Sequence, residues 1–269
     1  MNFRLAAIDI DGTLLDDNYL LSNKTKEAVH EAKNAGIEIV LCSGRAPKSV
    51  FSIMEQLEMD GFLITHNGAV TTHSETRDVI NEQGFFVESL YSVVDYCKKA
   101  GIHTDFCTAF DMYTEKIDSD ELYSLYSKYN MVPIIVDDVK NVKDKLVKFT
   151  LFSSEDILTS AQDELQKMNL SLQTIRSGPT FIDILHRYAS KGIALKNLAH
   201  QLGVPMEKTI AIGNYYNDLD MIRVAGMGVA VANAPDDVQK QAKLVVPSNN
   251  ENGVAQALKQ LILDQRKYA

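Results

Sequence analysis

The sequence predicts an α/β fold, with a parallel-sheet core interrupted by an inserted α+β domain. Two observations carry this. At both ends of the chain, short runs rich in Ile, Val and Ala alternate with amphipathic stretches, the rhythm of a parallel sheet with helices on both faces. In the middle, between about residues 84 and 187, that rhythm gives way to paired strands mixed with helices.

The elements follow in order. "LAAIDI" is the first strand. "SNKTKEAVHEAKNAG" is a helix that Ser22 caps and Gly36 stops. "IEIVLC" is a second buried strand, "PKSVFSIMEQL" a helix with Pro47 in its first turn, and "FLIT" a third strand. The middle opens with the helix "FVESLYSVVDYCKKAG". "IHTDFC" and "DMYTE" then stand close enough for a hairpin. After a further helix come the strand "VKFTLF", the helix "EDILTSAQDELQKM", and the strands "LSLQTIR" and "TFIDIL" around the turn "SGP". The last eighty residues return to alternation: "SKGIALKNLAHQLG", "KTIAI", "NDLDMIRVAG", "GVAV", "PDDVQKQA", "KLVV" and "NGVAQALKQLIL". The predicted division is a core of residues 1–83 and 188–269 with an inserted domain of residues 84–187.

The bulk properties restrict the function. A chain of 269 residues, 45% apolar and 23% charged, has enough material for a real core in one large or two ordinary domains. A net charge of −9 speaks against a general nucleic-acid binder, which needs a basic face. It leaves room for an anionic small ligand, because a local cation reverses the field. Cys42, Cys97 and Cys107 form no CxxC pair and read as the reduced thiols of a cytoplasmic protein. No apolar stretch approaches membrane-spanning length, and Asp9 interrupts the N-terminal apolar run.

Four clusters carry chemistry. "AAIDIDGTLL" sets Asp9 and Asp11 at the end of the first strand, where ligands of open parallel sheets bind. Strand periodicity expects both on one face. Two carboxylates so close repel unless a proton or a cation separates them, and a divalent ion such as Mg²⁺ suits oxygen ligands. "VLCSGR" supplies Ser43, free N–H groups around Gly44, and the guanidinium of Arg45 at the end of the second strand. In "ASKGIAL", Ser190 reads as a helix cap, which puts Lys191 at the positive end of the helix dipole. A bound phosphate or the carboxylate cluster would account for a cation there. "TIAIGNYYNDLDMI" places Asn214, Asn217 and Asp218 after another buried strand, as helix caps or as part of an oxygen-rich pocket.

The string DxDGTL, then SGR, a later KG, and G(D/N)xxND resemble in order and spacing the four motifs of the haloacid dehalogenase superfamily. "HNGA" at residues 66–69 and the size of the insertion resemble its Cof-type branch, whose Rossmann-like core carries a large α+β cap. The resemblance implies Mg²⁺-dependent hydrolysis of phosphate monoesters of small metabolites, sugar phosphates or phosphorylated cofactors. Carried over residue by residue, it makes Asp9 the nucleophile and Asp11 the general acid and base. Ser43 and Lys191 would hold the phosphoryl oxygens. Gly44, Arg45, Asn67 and Asn217 would make further contacts, and Asp9, Asp11, Asn214 and Asp218 would form the metal site. The departure is Asn214, where the superfamily usually has a carboxylate, so this site is one negative charge weaker. A phosphosugar mutase of the same superfamily, or a non-catalytic protein that grips a phosphorylated metabolite, also fits. Substrate choice is expected to rest with the cap, where Tyr113, His103, Arg176 and His186 are candidates by type.

Overall fold

The computed structural model describes residues 3–263. The first half of the core runs β1 (Leu5–Asp9), α1 (Asn23–Asn34), β2 (Glu38–Cys42), α2 (Pro47–Gln56) and β3 (Phe62–Thr65). Two strands absent from the sequence reading follow, β4 (Val70–His73) and β5 (Val79–Glu82). β4 pairs antiparallel with β3 and β5 antiparallel with β4, and Thr71, Thr72 and His73 in succession mask the strand pattern of β4. The second region holds α3 (Tyr91–Ala100), β6 (His103–Cys107), β7 (Met112–Thr114), α4 (Asp120–Lys128), β8 (Ile134–Ile135), β9 (Lys148–Phe152), α5 (Glu155–Lys167), β10 (Leu172–Gly178) and β11 (Phe181–His186). The chain ends with α6 (Lys191–Gln201), β12 (Thr209–Gly213), α7 (Leu219–Val224), β13 (Met227–Val231), α8 (Asp236–Gln239), β14 (Leu244–Val246) and α9 (Gly253–Leu258).

These strands make two sheets. The first, in the order β14-β13-β12-β1-β2-β3-β4-β5, is parallel from β14 to β3. The second, β10-β11-β9-β6-β7-β8, is antiparallel except where β8 joins β7. Period-two alternation builds both faces of the first sheet. Ala6 and Ile8 of β1 join a cluster with Val29, Ile53 and Leu258. Leu5 and Ala7 join one with Leu195, Leu198 and Met221. Helices therefore cover both faces, as the apolar β-runs require. The second sheet has its own apolar cluster around Phe106, Phe149 and Ile184. A further cluster joins Ala69 and Val70 of the first sheet to Cys107, Met112 and Leu185 of the second.

The local signals behave as their chemistry dictates. The Ser22 hydroxyl accepts from the Thr25 N–H, Pro47 starts α2, and Gly36 leaves α1 with φ +82°. All three cysteines are free and buried. Among the described residues no helix is long and apolar enough to cross a membrane.

Candidate active site

The carboxyl ends of β1, β2 and β12 converge on one edge of the first sheet. β1 stops at Asp9, not at Ile10 as its apolar run suggests, and the chain turns through Gly12 at φ +72°. This corrects the expectation that Asp9 and Asp11 share a strand face. Ile10 is the buried residue after the strand, and Asp11 lies in the turn, where its carboxylate is half exposed. Arg45 grips that carboxylate from two sides, with Nε 2.8 Å from Oδ2 and Nη2 2.5 Å from Oδ1.

Asp9 is buried. Its Oδ1 accepts from Lys191 Nζ at 2.6 Å, and the same ammonium lies 2.6 Å from Asp218 Oδ1. Lys191 heads α6 after Ser190, whose hydroxyl caps the helix by accepting from the Ile193 N–H. Only 1% of Lys191 is exposed, so the reason for a cation at the positive end of this helix is two carboxylates packed against it. Burial lowers the ammonium's affinity for its proton, but Asp218 and Asp9 outweigh burial and fix it as a cation. Burial and the nearby Asp218 charge push the Asp9 carboxyl up to about 7, against the opposing pull of Lys191.

Asp9 Oδ2 is buried and has no hydrogen-bond partner among the described residues. A carboxylate oxygen left bare in the interior is costly, and it marks the side from which a cation or a reacting group must approach. Asp218, expected as a metal ligand, has both oxygens in use: Oδ1 on Lys191, Oδ2 on the backbone N–H groups of Asn214 and Tyr215. It holds Lys191 and the loop after β12 in place. Asn214 lines the cavity above Asp9 and packs against Gly12, whose missing Cβ leaves room for its amide. Among the described residues no group of three or more His, Cys, Asp or Glu clusters as a metal site. The donors that fit a hard divalent ion are therefore the bare Asp9 oxygen, the amide oxygen of Asn214 and backbone carbonyls, a set of low charge.

Ser43 is buried at the end of β2, and its hydroxyl accepts from the Arg45 N–H. Its backbone ties two loops together: the Asn67 N–H donates to the Ser43 carbonyl. His66, Asn67 and Gly68 all have positive φ. This turn puts Asn67 between the two sheets, where its amide oxygen accepts from Asn217 Nδ2 at 3.0 Å and its amino group faces Asp183 at 3.4 Å. Burial pushes the His66 imidazole down to about 3, so it is neutral, and among the described residues neither ring nitrogen has a hydrogen-bond partner.

Above these groups opens a cavity of about 360 Å³ between the sheets. Asp9, Asp11, Arg45, Asn67, Asn214 and Asn217 line its floor. Its roof is not made of the residues expected by type. Tyr113 donates to Asp144, Arg176 is bound to the Gly178 and Pro179 carbonyls, and His186 packs on Tyr188. His103 reaches the cavity through Asp105 and Tyr126. The roof is instead Asp105, Tyr126, Lys148, Thr150, Phe181 and Asp183, with Tyr129 over the Arg45 guanidinium. The missed signal was register: Asp105, Thr150 and Asp183 are cross-strand neighbours on one face of β6, β9 and β11.

Three comparisons bear on this geometry. A family described as haloacid dehalogenase-like hydrolase matches residues 6–258. YxeH of Bacillus subtilis is 34% identical over 271 residues, covering 97% of this chain and 99% of its own. YcsE of the same organism, a 5-amino-6-(5-phospho-D-ribitylamino)uracil phosphatase, is 32% identical over 267 residues, covering 98% and 97%. The crystal structure of a haloacid dehalogenase-like hydrolase from Bacteroides thetaiotaomicron superposes with a TM-score of 0.88 at 26% identity, covering 97% of this chain and all of that one. The matched region contains both sheets and every residue that converges beneath the cavity, and the chain belongs to the haloacid dehalogenase-like hydrolases, in the phosphatase branch of that superfamily.

Proposed function

We propose that the chain hydrolyses phosphate monoesters of small metabolites through an aspartyl-phosphate on Asp9, with Mg²⁺ as cofactor. The observation that carries the reading is the buried Asp9–Lys191–Asp218 arrangement with one Asp9 oxygen bare beneath the cavity. Asp9 attacks phosphorus. Asp11 gives its proton to the departing ester oxygen, then takes one from the water that cleaves the acyl-phosphate and releases inorganic phosphate. Lys191, the Ser43 hydroxyl and the N–H groups around Gly44 neutralise charge on the phosphoryl oxygens. Asp9, Asn214 and the Asp11 carbonyl would hold the divalent ion, which supplies charge neutralisation at the phosphoryl group. The second sheet, as a cap of residues 84–187 on a core of residues 1–83 and 188–269, keeps water from the reaction. That YcsE is named for a phosphorylated ribityl compound supports a small metabolite as substrate.

The test is release of inorganic phosphate from p-nitrophenyl phosphate and a panel of phosphorylated metabolites with Mg²⁺. The wild-type protein is expected to turn over, and Asp9→Asn to lose activity by about 10³-fold or more while keeping its melting temperature. Isomer formation without phosphate release would turn the reading into a mutase. Tight binding without turnover would leave a binding protein.

A further inference from the structure

The roof of the cavity carries an unbalanced charge. β6, β9 and β11 are adjacent, and their registers set Asp105, Thr150 and Asp183 side by side across the three strands. Lys148, the one lysine on this wall among the described residues, serves Asp183 at 3.8 Å and donates to the Gly44 carbonyl at 3.1 Å. Burial pulls the Lys148 ammonium down, but Asp183, Cys107 and Asp105 together hold it above its ordinary value. Asp183 also accepts from the Thr150 hydroxyl at 2.7 Å.

Among the described residues Asp105 has no lysine or arginine ion-pair partner, and its basic neighbour is the imidazole of His103. Asp105 is 5% exposed. Its Oδ1 accepts from the Tyr126 hydroxyl at 2.8 Å, and His103 Nε2 lies 3.1 Å from that oxygen and 2.8 Å from the Tyr126 hydroxyl. Among the described residues no donor reaches Oδ2, and Asp105 lines the cavity. The Tyr126 and His103 contacts fix the carboxylate's plane, so Oδ2 is a prepositioned acceptor. A buried carboxylate with one unserved oxygen and no lysine or arginine partner favours a cationic hydrogen-bond donor over a neutral one. The apolar neighbours Met112, Leu125, Met131 and Phe181 leave room for a carbon skeleton between that oxygen and the floor.

We propose that Asp105 recognises a protonated amine on the leaving group, so that the preferred substrates are phosphate monoesters of amino-sugars or amino-alcohols. This rests on the phosphatase reading above. Asp105 acts in selection, not in the bond-breaking step.

The experiment compares matched esters that differ only in an amine or a hydroxyl: glucosamine 6-phosphate with glucose 6-phosphate, and phosphoethanolamine with ethylene glycol monophosphate. The two pairs place the amine at different reaches from the ester oxygen. With Mg²⁺ and the wild-type protein, at least one amine is expected to exceed its partner in kcat/KM by about tenfold or more, the scale of one charge-assisted hydrogen bond. In Asp105→Asn that ratio should fall to within about threefold of unity. No amine preference in either pair, or a preference that survives Asp105→Asn, overturns the proposal. If the variant does not fold, the wild-type ratios decide. Calorimetric binding of the same pairs to Mg²⁺-loaded Asp9→Asn separates the two readings. Amine preference in binding with no turnover by the wild type sinks the phosphatase reading and keeps Asp105. Turnover without amine preference does the reverse.

Discussion

The residue that most distinguishes this site is Asn214. Lining the same cavity as Asp9, it offers an amide dipole where a carboxylate would offer a full charge. Charge–charge attraction in a partly desolvated site exceeds the pull of a dipole even at an effective dielectric of about 20. Asn214→Asp is therefore expected to lower the Mg²⁺ concentration for half-maximal rate and to enlarge the rise in melting temperature on adding Mg²⁺. Turnover at saturating Mg²⁺ need not improve. An unmoved half-saturation point would make Asn214 a loop residue with no part in holding the ion. Asp9 gives a second prediction. With its carboxyl at about 7, it keeps its proton in the folded chain at pH values where the unfolded chain, near 3.8, has lost it. The metal-free fold thus loses stability from this group as pH rises between those values. A cation bound to Asp9 must displace that proton below about 7 and need not above it. Stabilisation by Mg²⁺, read as the shift in melting temperature, should be larger at pH 8 than at pH 6. A larger shift at the lower pH would remove Asp9 from the ligand set.

At the level of elements, the site depends on how tightly the turn after β3 packs against the start of α6. Gly68 has φ +96°, and a Cβ there would lie 2.2 Å from the Ser190 carbonyl group. That carbonyl belongs to the cap that presents Lys191. Gly68→Ala combines a left-handed backbone with a backbone clash. It should cost roughly 2–4 kcal/mol in urea denaturation and also weaken phosphate binding, because Ser190 and Lys191 must move. Loss of stability with unchanged phosphate affinity would uncouple the two elements. This contact also shows what the sequence made legible. Ser22, Pro47, Ser190 and the apolar runs of β1, β2, β3 and β12 could be read because each signal acts within one element. β4 escaped because three of its four residues are Thr71, Thr72 and His73, and β5 because its two apolar residues, Val79 and Ile80, are followed by Asn81 and Glu82. The partners of Asp11 and Asp105 escaped because they depend on contacts between elements far apart in sequence, such as Arg45 turning back to Asp11.

Across the whole molecule, the two sheets meet through a small number of polar contacts over an apolar seam. Asn217 to Asn67 to Asp183 forms one hydrogen-bonded crossing, and Lys148 to the Gly44 carbonyl another. Lys48 with Asp111, and Lys128 on the Tyr19 hydroxyl, close the outer rim. Asp183 is the keystone, because it also holds Thr150 and faces Lys148. Asp183→Ala would leave the Lys148 ammonium buried and unpaired. It is expected to cost about 3–5 kcal/mol in chemical denaturation. Asp183→Asn, which keeps the hydrogen bonds of a neutral side chain, should cost less. Equal losses in both variants would show that shape, not charge, sets the role of Asp183.

The pairing of β1 with β12 also sets a timetable. β1 precedes the second sheet in the chain, and its neighbour on one side, β12, emerges only after that entire sheet has been synthesised. Until then the nascent chain carries a hydrophobic strand with an open edge, the kind of surface that recruits chaperones or other chains. Asp9 likewise waits for Lys191 and Asp218, both of which lie beyond the insertion. The Asp9–Lys191–Asp218 cluster therefore cannot assemble until the chain beyond the second sheet has been made. Such non-local closure is slow, so in refolding the capacity to bind phosphate should return in the final phase, after most of the helical signal has recovered.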